Sequence, residues 1–598
     1  MPSESSAIAI YPDTSRVERE AFLGRLRNEP QFLLRHLRTL GGALLRRLRT
    51  RVVVKFAPTH QGRKVRPSWL GPVIIAGGAA RASPAERLRL PTYPRSPAEW
   101  APSLAASAPG PSAADDPEDY LAGHRWGFLT DALLAGRVDW ELELADCVRW
   151  VERHPDKADA AWEPYSSCER VANLLVFLAA MQAVTPSPAI PDKLREFLRD
   201  SLQWIMQRLE YYGPWKTNNH IINNGRAVVM AAVALGDATA LAAGTQILRQ
   251  CLPSLILPGG FLRERSSHYQ VIVLNWLLDA WRFLGSASDR LASGDNWLDE
   301  VVHRMLTATS MLCERGRMLS LIGDVSPDLT PAQSLARLQL LYPDLWPPRP
   351  QAIAKVRVID GWLRMDAHDS IILGNFPAGP FPAAFPTHGH ADLTSFTWLH
   401  RGSEVLVDRG RYRYTPDITS TFQQRASGHN LPLANGFAPM CESLVHNGQW
   451  WPLPYAAAHL DAAVDGTAVV LAHDGFARAT PVSRHTRRLS LTPHALLVED
   501  NFSGAGTVDL DFCWHFGAGF DSFDAASLRV SGRDAPVALQ VQGVSGSPRA
   551  TVVYGKEQGS WLSRRYGERE PALGICLRWR VPLPAQIATR FSCSADER

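Results

Sequence analysis

Between Glu118 and about Leu341, apolar residues return at three- and four-residue steps, the spacing that turns one face of an α-helix toward a core. The runs Trp140 to His154, Cys168 to Gln182, Lys193 to Leu209, His220 to Leu235, Val271 to Leu284 and Leu298 to Cys313 all carry it. Pro/Gly-rich turns part several of them. No strict repeat joins these segments, yet so many helices in succession predict a curved or toroidal helical array. The pattern changes at Trp346-Pro347-Pro348-Arg349-Pro350. Beyond it come short alternating or β-branched runs, among them Gly361 to Met365, Ile371 to Leu373, Leu393 to Leu399, Thr486 to Leu491, Val508 to Phe512 and Ile575 to Trp579. Gly, Asp, Asn and Ser punctuate them, which predicts antiparallel strands in a sandwich. Helices first and strands second imply a multidomain chain, α then β. We divide it into an N-terminal extension (1–80), a helical domain (81–345), a linker (346–352) and a strand domain (353–598).

The extension has its own pattern. Leu33, Leu37, Leu40, Leu44 and Leu48 interleave with Arg35, Arg38, Arg46 and Arg49, a basic amphipathic helix bent at Gly41-Gly42. Such a helix suits docking on the main body with its arginines in solvent. The alternative is contact with an anionic membrane surface or an acidic polymer. Ser103 to Asp116 is rich in Ala, Pro and Ser and reads as a loop.

Length and composition narrow the class. At 598 residues the chain exceeds one hydrophobic core. Apolar content of 45% with 20% charged residues describes a globular protein, and a net charge of +4 makes no demand for a nucleic-acid partner. The eight cysteines are scattered without a C-x-x-C pair, so buried thiols are expected rather than a disulfide framework or a cysteine metal site. No apolar stretch is long enough for a transmembrane helix, and the first residues lack a secretory pattern. The 19 tryptophans supply flat faces for core packing and for stacking against sugars.

Candidate chemistry gathers in two places. In the strand half, Thr387-His388-Gly389-His390-Ala391-Asp392 precedes an apolar run, followed by Val405 to Gly410 and then Ser427-Gly428-His429-Asn430. His390, Asp408 and His429 are side chains that bind zinc, a better match to this donor set than magnesium or calcium. His388 shares a face with His390 if the segment is extended. Arg411, Tyr412, Arg413, Tyr414 and Arg425 surround them, either as a solvated strand face or as an anionic substrate path. In the helical half, Lys216-Thr217-Asn218-Asn219-His220 opens an apolar helix. Capping accounts for one or two of these polar residues. It does not readily account for two Asn and a His with Asn223-Asn224 a turn later. An amide beside an imidazole can hold a carboxylate. The turn Gly259 to Tyr269 follows, where Arg263, Arg265 and His268 could stabilise a Tyr269 phenolate as a base.

Together with Trp162-Glu163-Pro164-Tyr165 and Arg170-Val171-Ala172-Asn173, these stretches resemble the heparinase II/III family of polysaccharide lyases and related alginate lyases, over about residues 85 to 560. The resemblance implies an incomplete α/α toroid followed by an antiparallel β-sandwich. It implies that Asn219 and His220 neutralise a uronate carboxylate, that Tyr269 is the catalytic acid/base and that His388 is a catalytic histidine. His390, Asp408 and His429 become ligands of a mainly structural zinc. Asn218, Arg263, Arg265, His268, Arg413 and Arg425 become candidates to line the substrate path. The reaction implied is β-elimination on an acidic polysaccharide, with a bacterial exopolysaccharide favoured because no sulfate-specific pocket is readable. Family habit suggests the periplasm or cell envelope, whereas the missing secretory pattern suggests the cytoplasm. Two rivals stand beside this reading. One is a non-catalytic protein that binds acidic glycans. The other is a glycoside hydrolase using a carboxylate pair from Glu264, Asp279, Asp324 and Asp328, none of which the sequence pairs persuasively.

Overall fold

The sandwich is built on two strands of 21 residues each, and the helical part on helices buried from end to end. The structure, a computed structural model, describes residues 88–91, 116–182, 189–212, 217–285, 297–314, 317–346, 356–376, 379–380, 388–415, 417–440, 444–446, 449–451, 459–465, 468–555 and 560–593. The expected basic helix of the extension, almost all of the loop 103–116 and most of the linker lie outside those residues. The described chain forms two units, one containing residues up to 319 with 325–346, the other containing 320–324 and everything after the linker. Among the described residues no helix is long and apolar enough to cross a membrane.

The helical unit runs α1 (Pro117–Gly123), α2 (Gly127–Ala135), α3 (Trp140–Arg153), α4 (Pro164–Gln182), α5 (Asp192–Gln207), α6 (His220–Leu235), α7 (Ala238–Leu255), α8 (Ser267–Gly285), α9 (Trp297–Ser310) and α10 (Pro331–Leu341). Helix α3 starts where the Asp139 carboxylate accepts the Leu142 N–H at 3.1 Å. Helix α10 starts with a reciprocal capping box between Thr330 and Gln333, with Pro331 in the first turn. Burial separates inner from outer helices. In α4 every residue from Tyr165 to Met181 is buried, and in α6 every residue from Ile221 to Ala234. In α5, by contrast, Leu194, Phe197, Leu198, Leu202 and Ile205 form one stripe. Inner helices alternating with amphipathic outer ones make a toroidal arc. Helices α6 and α7 approach closely because glycines face the contact. A methyl on Gly244 would lie 2.9 Å from Val228 and Val229, and one on Gly225 2.7 Å from Leu248.

A cluster of charged groups inside this arc is paired. Arg226 donates to Asp279 at 2.7 and 3.0 Å and to Glu169 at 2.9 Å, while Arg337 and the Tyr342 hydroxyl also bind Asp279. All five side chains are buried. The pairing is needed, because an isolated charge there would cost several kcal/mol.

The strand unit has a five-stranded antiparallel sheet in sequential order: β1 (Val356–Ile359), β2 (Trp362–Ala367), β3 (Ser370–Asn375), β4 (Phe396–His400) and β5 (Ser403–Leu406). A larger sheet contains β6 (His459–Asp465), β7 (Ala468–His473), β8 (Val482–Thr492), β9 (Ala495–His515), β10 (Phe520–Asp524), β11 (Arg529–Gly532), β12 (Val537–Gln542) and β13 (Leu573–Cys593). Its spatial order runs β10-β11-β12-β13-β9-β8-β7-β6, with Arg549–Tyr554 pairing β13 and Pro432–Ala434 pairing β9. Strands β9 and β13 pair antiparallel, Val498 opposite Thr589 and Cys513 opposite Cys576. Leu363, Met365, Ile372 and Trp398 from the small sheet share one core with Leu489, Leu510, Phe512, Trp514 and Phe591 from the large one. That shared core defines the sandwich. The seven described cysteines are buried, as small apolar residues would be.

Candidate functional site

Helix α6 opens on the Asn-Asn-His motif, and each residue has a different partner. The Asn218 side-chain oxygen accepts the His220 backbone N–H at 3.2 Å, so Asn218 does the capping. Asn219 is fully buried, and its backbone N–H donates to Glu264 at 2.6 Å. The His220 ring places Nδ1 2.9 Å from the Glu210 carboxylate. Asn224, one turn on, holds that carboxylate in place, donating to it at 3.0 Å and accepting the Glu210 N–H at 2.6 Å. Burial pulls the imidazole toward neutrality, but Glu210, with Glu163 and Glu264 behind it, outweighs burial and lifts the His220 pKa to about 9. The ring still keeps 35% of its side-chain surface, so a cationic donor meets solvent here.

Tyr165 lies against that ring, centroids 4.6 Å apart. Its hydroxyl donates to Asp328 at 2.7 Å, and the Arg125 guanidinium sits 4.5 Å over its ring. Burial first, then the charges of Asp328 and Glu169, push its phenol well above the usual range, so Tyr165 remains a donor. Tyr269 is buried in the first turn of α8, its N–H bonded to the Ser266 hydroxyl at 3.1 Å, and close enough for its charge to bear on Tyr165.

The other expected residues of this unit divide. Arg263 is half-buried and braces the backbone at Thr217, 2.9 Å from its carbonyl. Arg265 is buried at a left-handed backbone position, φ 62°. His268, expected at the substrate, is corrected to an internal strut. It is fully buried, its Nδ1 accepts the Ser326 N–H and its Nε2 faces the Ser334 hydroxyl, both at 3.1 Å. With both ring nitrogens engaged it has nothing to offer a substrate. The carboxylates of the hydrolase alternative are also engaged. Glu264 holds Asn219, Asp279 holds two arginines, and Asp328 holds Arg125 and Tyr165. Asp324 holds two histidines of the strand unit.

There, His388 and His390 converge on Asp324. His388 Nδ1 lies 3.2 Å from one carboxylate oxygen and His390 Nε2 2.9 Å from the other. The Asp324 N–H also donates to the His388 carbonyl at 2.9 Å. Burial raises the Asp324 pKa, but hydrogen bonds from both rings and the Arg411 charge 3.8 Å away hold it below the usual carboxylate range. The Tyr414 ring lies 6.3 Å from the His388 ring. Arg413 and Arg425 are half-buried, Arg413 over the Tyr412 ring at 4.9 Å.

His390, Asp408 and His429 come together as anticipated, all buried, with one donor atom from each within 4.8 Å of the others. His429 Nδ1 lies 3.2 Å from Asp408 but without hydrogen-bond geometry. Neither His429 nitrogen, nor Nδ1 of His390, has a hydrogen-bond partner. Buried orphans of this kind cost about 1–3 kcal/mol each. One such nitrogen from each histidine beside the Asp408 carboxylate could hold a metal ion, and two nitrogens with one carboxylate fit zinc.

Residues 360–588 match the family model described as heparinase II/III-like, C-terminal. Over that span the strand unit is similar to a heparinase II/III-like C-terminal domain. Among solved structures, the crystal structure of heparinase III aligns with a TM-score of 0.60 at 13% identity, covering 81% of this chain and 78% of that one. A heparan sulfate lyase mutant from Pedobacter heparinus aligns at 0.53 and 17% identity, covering 81% and 78%. A second heparinase III aligns at 0.53 and 16%, covering 81% and 80%. No curated protein matches the chain by sequence. At these identities the likeness is one of fold, an α/α toroid followed by a β-sandwich. The cluster of His390, Asp408 and His429 lies inside the matched span with His388, whereas Asp324 lies before it. Glu210 is a site residue that motif reading did not name, and Asp324 one that it named only among the carboxylates of the hydrolase alternative. The only signal for Glu210 is a carboxylate just before the Asn-Asn-His segment, and for Asp324 a Gly-Asp step after a helix.

Proposed function

We propose that the protein is a polysaccharide lyase that cleaves a uronic-acid-containing polysaccharide by β-elimination. The observation that carries this reading is His220 held 2.9 Å from Glu210 beside the buried Asn219, surroundings that favour the imidazolium. The C5 proton of a uronate is barely acidic while the neighbouring carboxylate keeps its full charge. His220 and Asn219 would take up the charge that develops on that carboxylate as C5 loses its proton. Tyr269 or His388 accepts the C5 proton, according to the face that bears it. The electron pair forms the C4–C5 double bond, the C4–O4 bond breaks, and Tyr269 returns a proton to O4. No water and no redox partner enters the balance.

His390, Asp408 and His429 would hold a zinc ion whose contribution is structural, pinning the loops that carry them. Asn218, Arg263, Arg265, Arg413 and Arg425 remain candidates for the approach of an acidic chain. The favoured substrate is a bacterial acidic exopolysaccharide. The test is ultraviolet absorbance of the unsaturated uronate when purified protein meets a panel of uronic-acid polymers. A rise that Tyr269→Phe abolishes supports the proposal. Absence of any rise from folded protein across the panel would refute it in favour of glycan binding, and cleavage of sulfated heparan chains alone would overturn the exopolysaccharide preference.

A further inference from the structure

We infer that Asp324 is a positioning residue that holds His388 and His390 in opposite tautomers, so that one carboxylate governs both metal ligation and base competence. The role given to His388 rests on the lyase reading; the tautomers do not. Asp324 is buried and faces two imidazoles and the Arg411 guanidinium. A carboxylate so placed is an acceptor only, and a neutral imidazole has one N–H. The nitrogen facing Asp324 must therefore carry the proton in each ring. In His388 that nitrogen is Nδ1, which leaves the lone pair on Nε2. In His390 it is Nε2, which leaves the lone pair on Nδ1. That Nδ1 is the atom without a hydrogen-bond partner, in the residue that groups with Asp408 and His429.

The consequence is specific. His390 can ligate a metal through Nδ1 only while Asp324 accepts from its far side. His388 can take a proton at Nε2 only while the same residue accepts at Nδ1. An amide at position 324 would supply one acceptor oxygen and one NH2 group. Whichever ring faced the NH2 would have to present its lone pair there and would lose its working tautomer.

The first test is nitrogen-15 NMR of the full-length, histidine-labelled, zinc-loaded protein, with His388→Gln and His390→Gln assigning the two rings. Nδ1–H in His388 and Nε2–H in His390 are expected, and the reverse in either ring overturns the inference. The second test is Asp324→Asn. Zinc affinity should fall about 10–100-fold, or kcat about 100-fold with KM within about threefold, or both. Unchanged zinc affinity together with unchanged kcat overturns the inference. If that variant does not fold, the NMR result on the native residue decides alone. If no polymer is cleaved by the native protein, the lyase reading fails while the tautomer and zinc measurements still decide the role of Asp324.

Discussion

Replacing Glu210 with Gln removes a charge and leaves the shape. The amide oxygen can still accept from His220 Nδ1, 2.9 Å away in the native pair, while the NH2 group replaces the oxygen that accepts from Asn224, so one hydrogen bond is lost and the Asn218 cap at the start of α6 is untouched. What changes is the balance on the imidazole. Burial favours the neutral ring, and Glu210 supplies the two largest opposing influences, its charge and its hydrogen bond. Without them the His220 pKa should drop from about 9 to the ordinary 6.5 or lower, with only Glu163 and Glu264 still pulling upward. At about pH 7.5 a group titrating near 9 is about 97% protonated and one at 6.5 about 10%, so the protonated fraction of His220 falls about tenfold. The same sign applies to stability. The folded-state value lies above the ordinary one, so the contribution of the pair is whole below about pH 6.5 and is lost as pH rises through about 9. The assay is the pH dependence of kcat/KM, followed by product absorbance. The alkaline limb of the native profile should lie near 9, and that of Glu210→Gln at or below 6.5, with most of the rate recovered in acid. Superimposable profiles would show that the charge of His220 plays no part in turnover.

Three further outcomes follow from packing and from the metal triad. Arg226→Met leaves Glu169 without its arginine and takes one of two arginines from Asp279 in the helical interior, and should cost about 3–5 kcal/mol in urea unfolding; a loss under about 1 kcal/mol would contradict the charge network described. Gly410→Ala puts a methyl 2.1 Å from the Ser563 carbonyl at φ 66° and should destabilise the strand unit by about 1–3 kcal/mol. Gly402→Ala, with a similar φ but open space, should cost less in the same calorimetric comparison. Zinc at about 100 times its dissociation constant should add about 2.7 kcal/mol of stability, and His429→Ala should erase that zinc dependence of the melting temperature.

How much of this was legible depends on whether the signal is local. Helices α3 to α9 follow from apolar spacing, since each buries a face whose period is written along the chain. Their ends shift where polar residues are buried. Helix α8 begins at Ser267 rather than Val271, because Ser267, His268 and Gln270 are inside, with His268 and Gln270 bonded to other segments. Strand β4 begins at Phe396 rather than Leu393, because Thr394 has φ 70°, which no strand accommodates. The histidines and Asp408 of the triad announced themselves by type and order. Their supports did not. Asp324 is 64 residues from His388 in sequence, and only the fold brings it there. His268 misled for the converse reason, since a motif shows a side chain's type and not the direction in which it is buried.

The excursion of residues 320–324 into the strand unit bears on how such chains can be cut and inherited. A fragment starting at the proline-rich linker, or the span 360–588 that the family model outlines, would contain His388 and His390 without Asp324. A sandwich excised there could fold around its own core and still lack the carboxylate that orients its histidines. Recombination that exchanged one half for that of a distant relative would import the same defect, unless the five-residue loop travelled with it. An exchange made at the linker would therefore separate His388 and His390 from the carboxylate they face, although both lie in one unit of the fold.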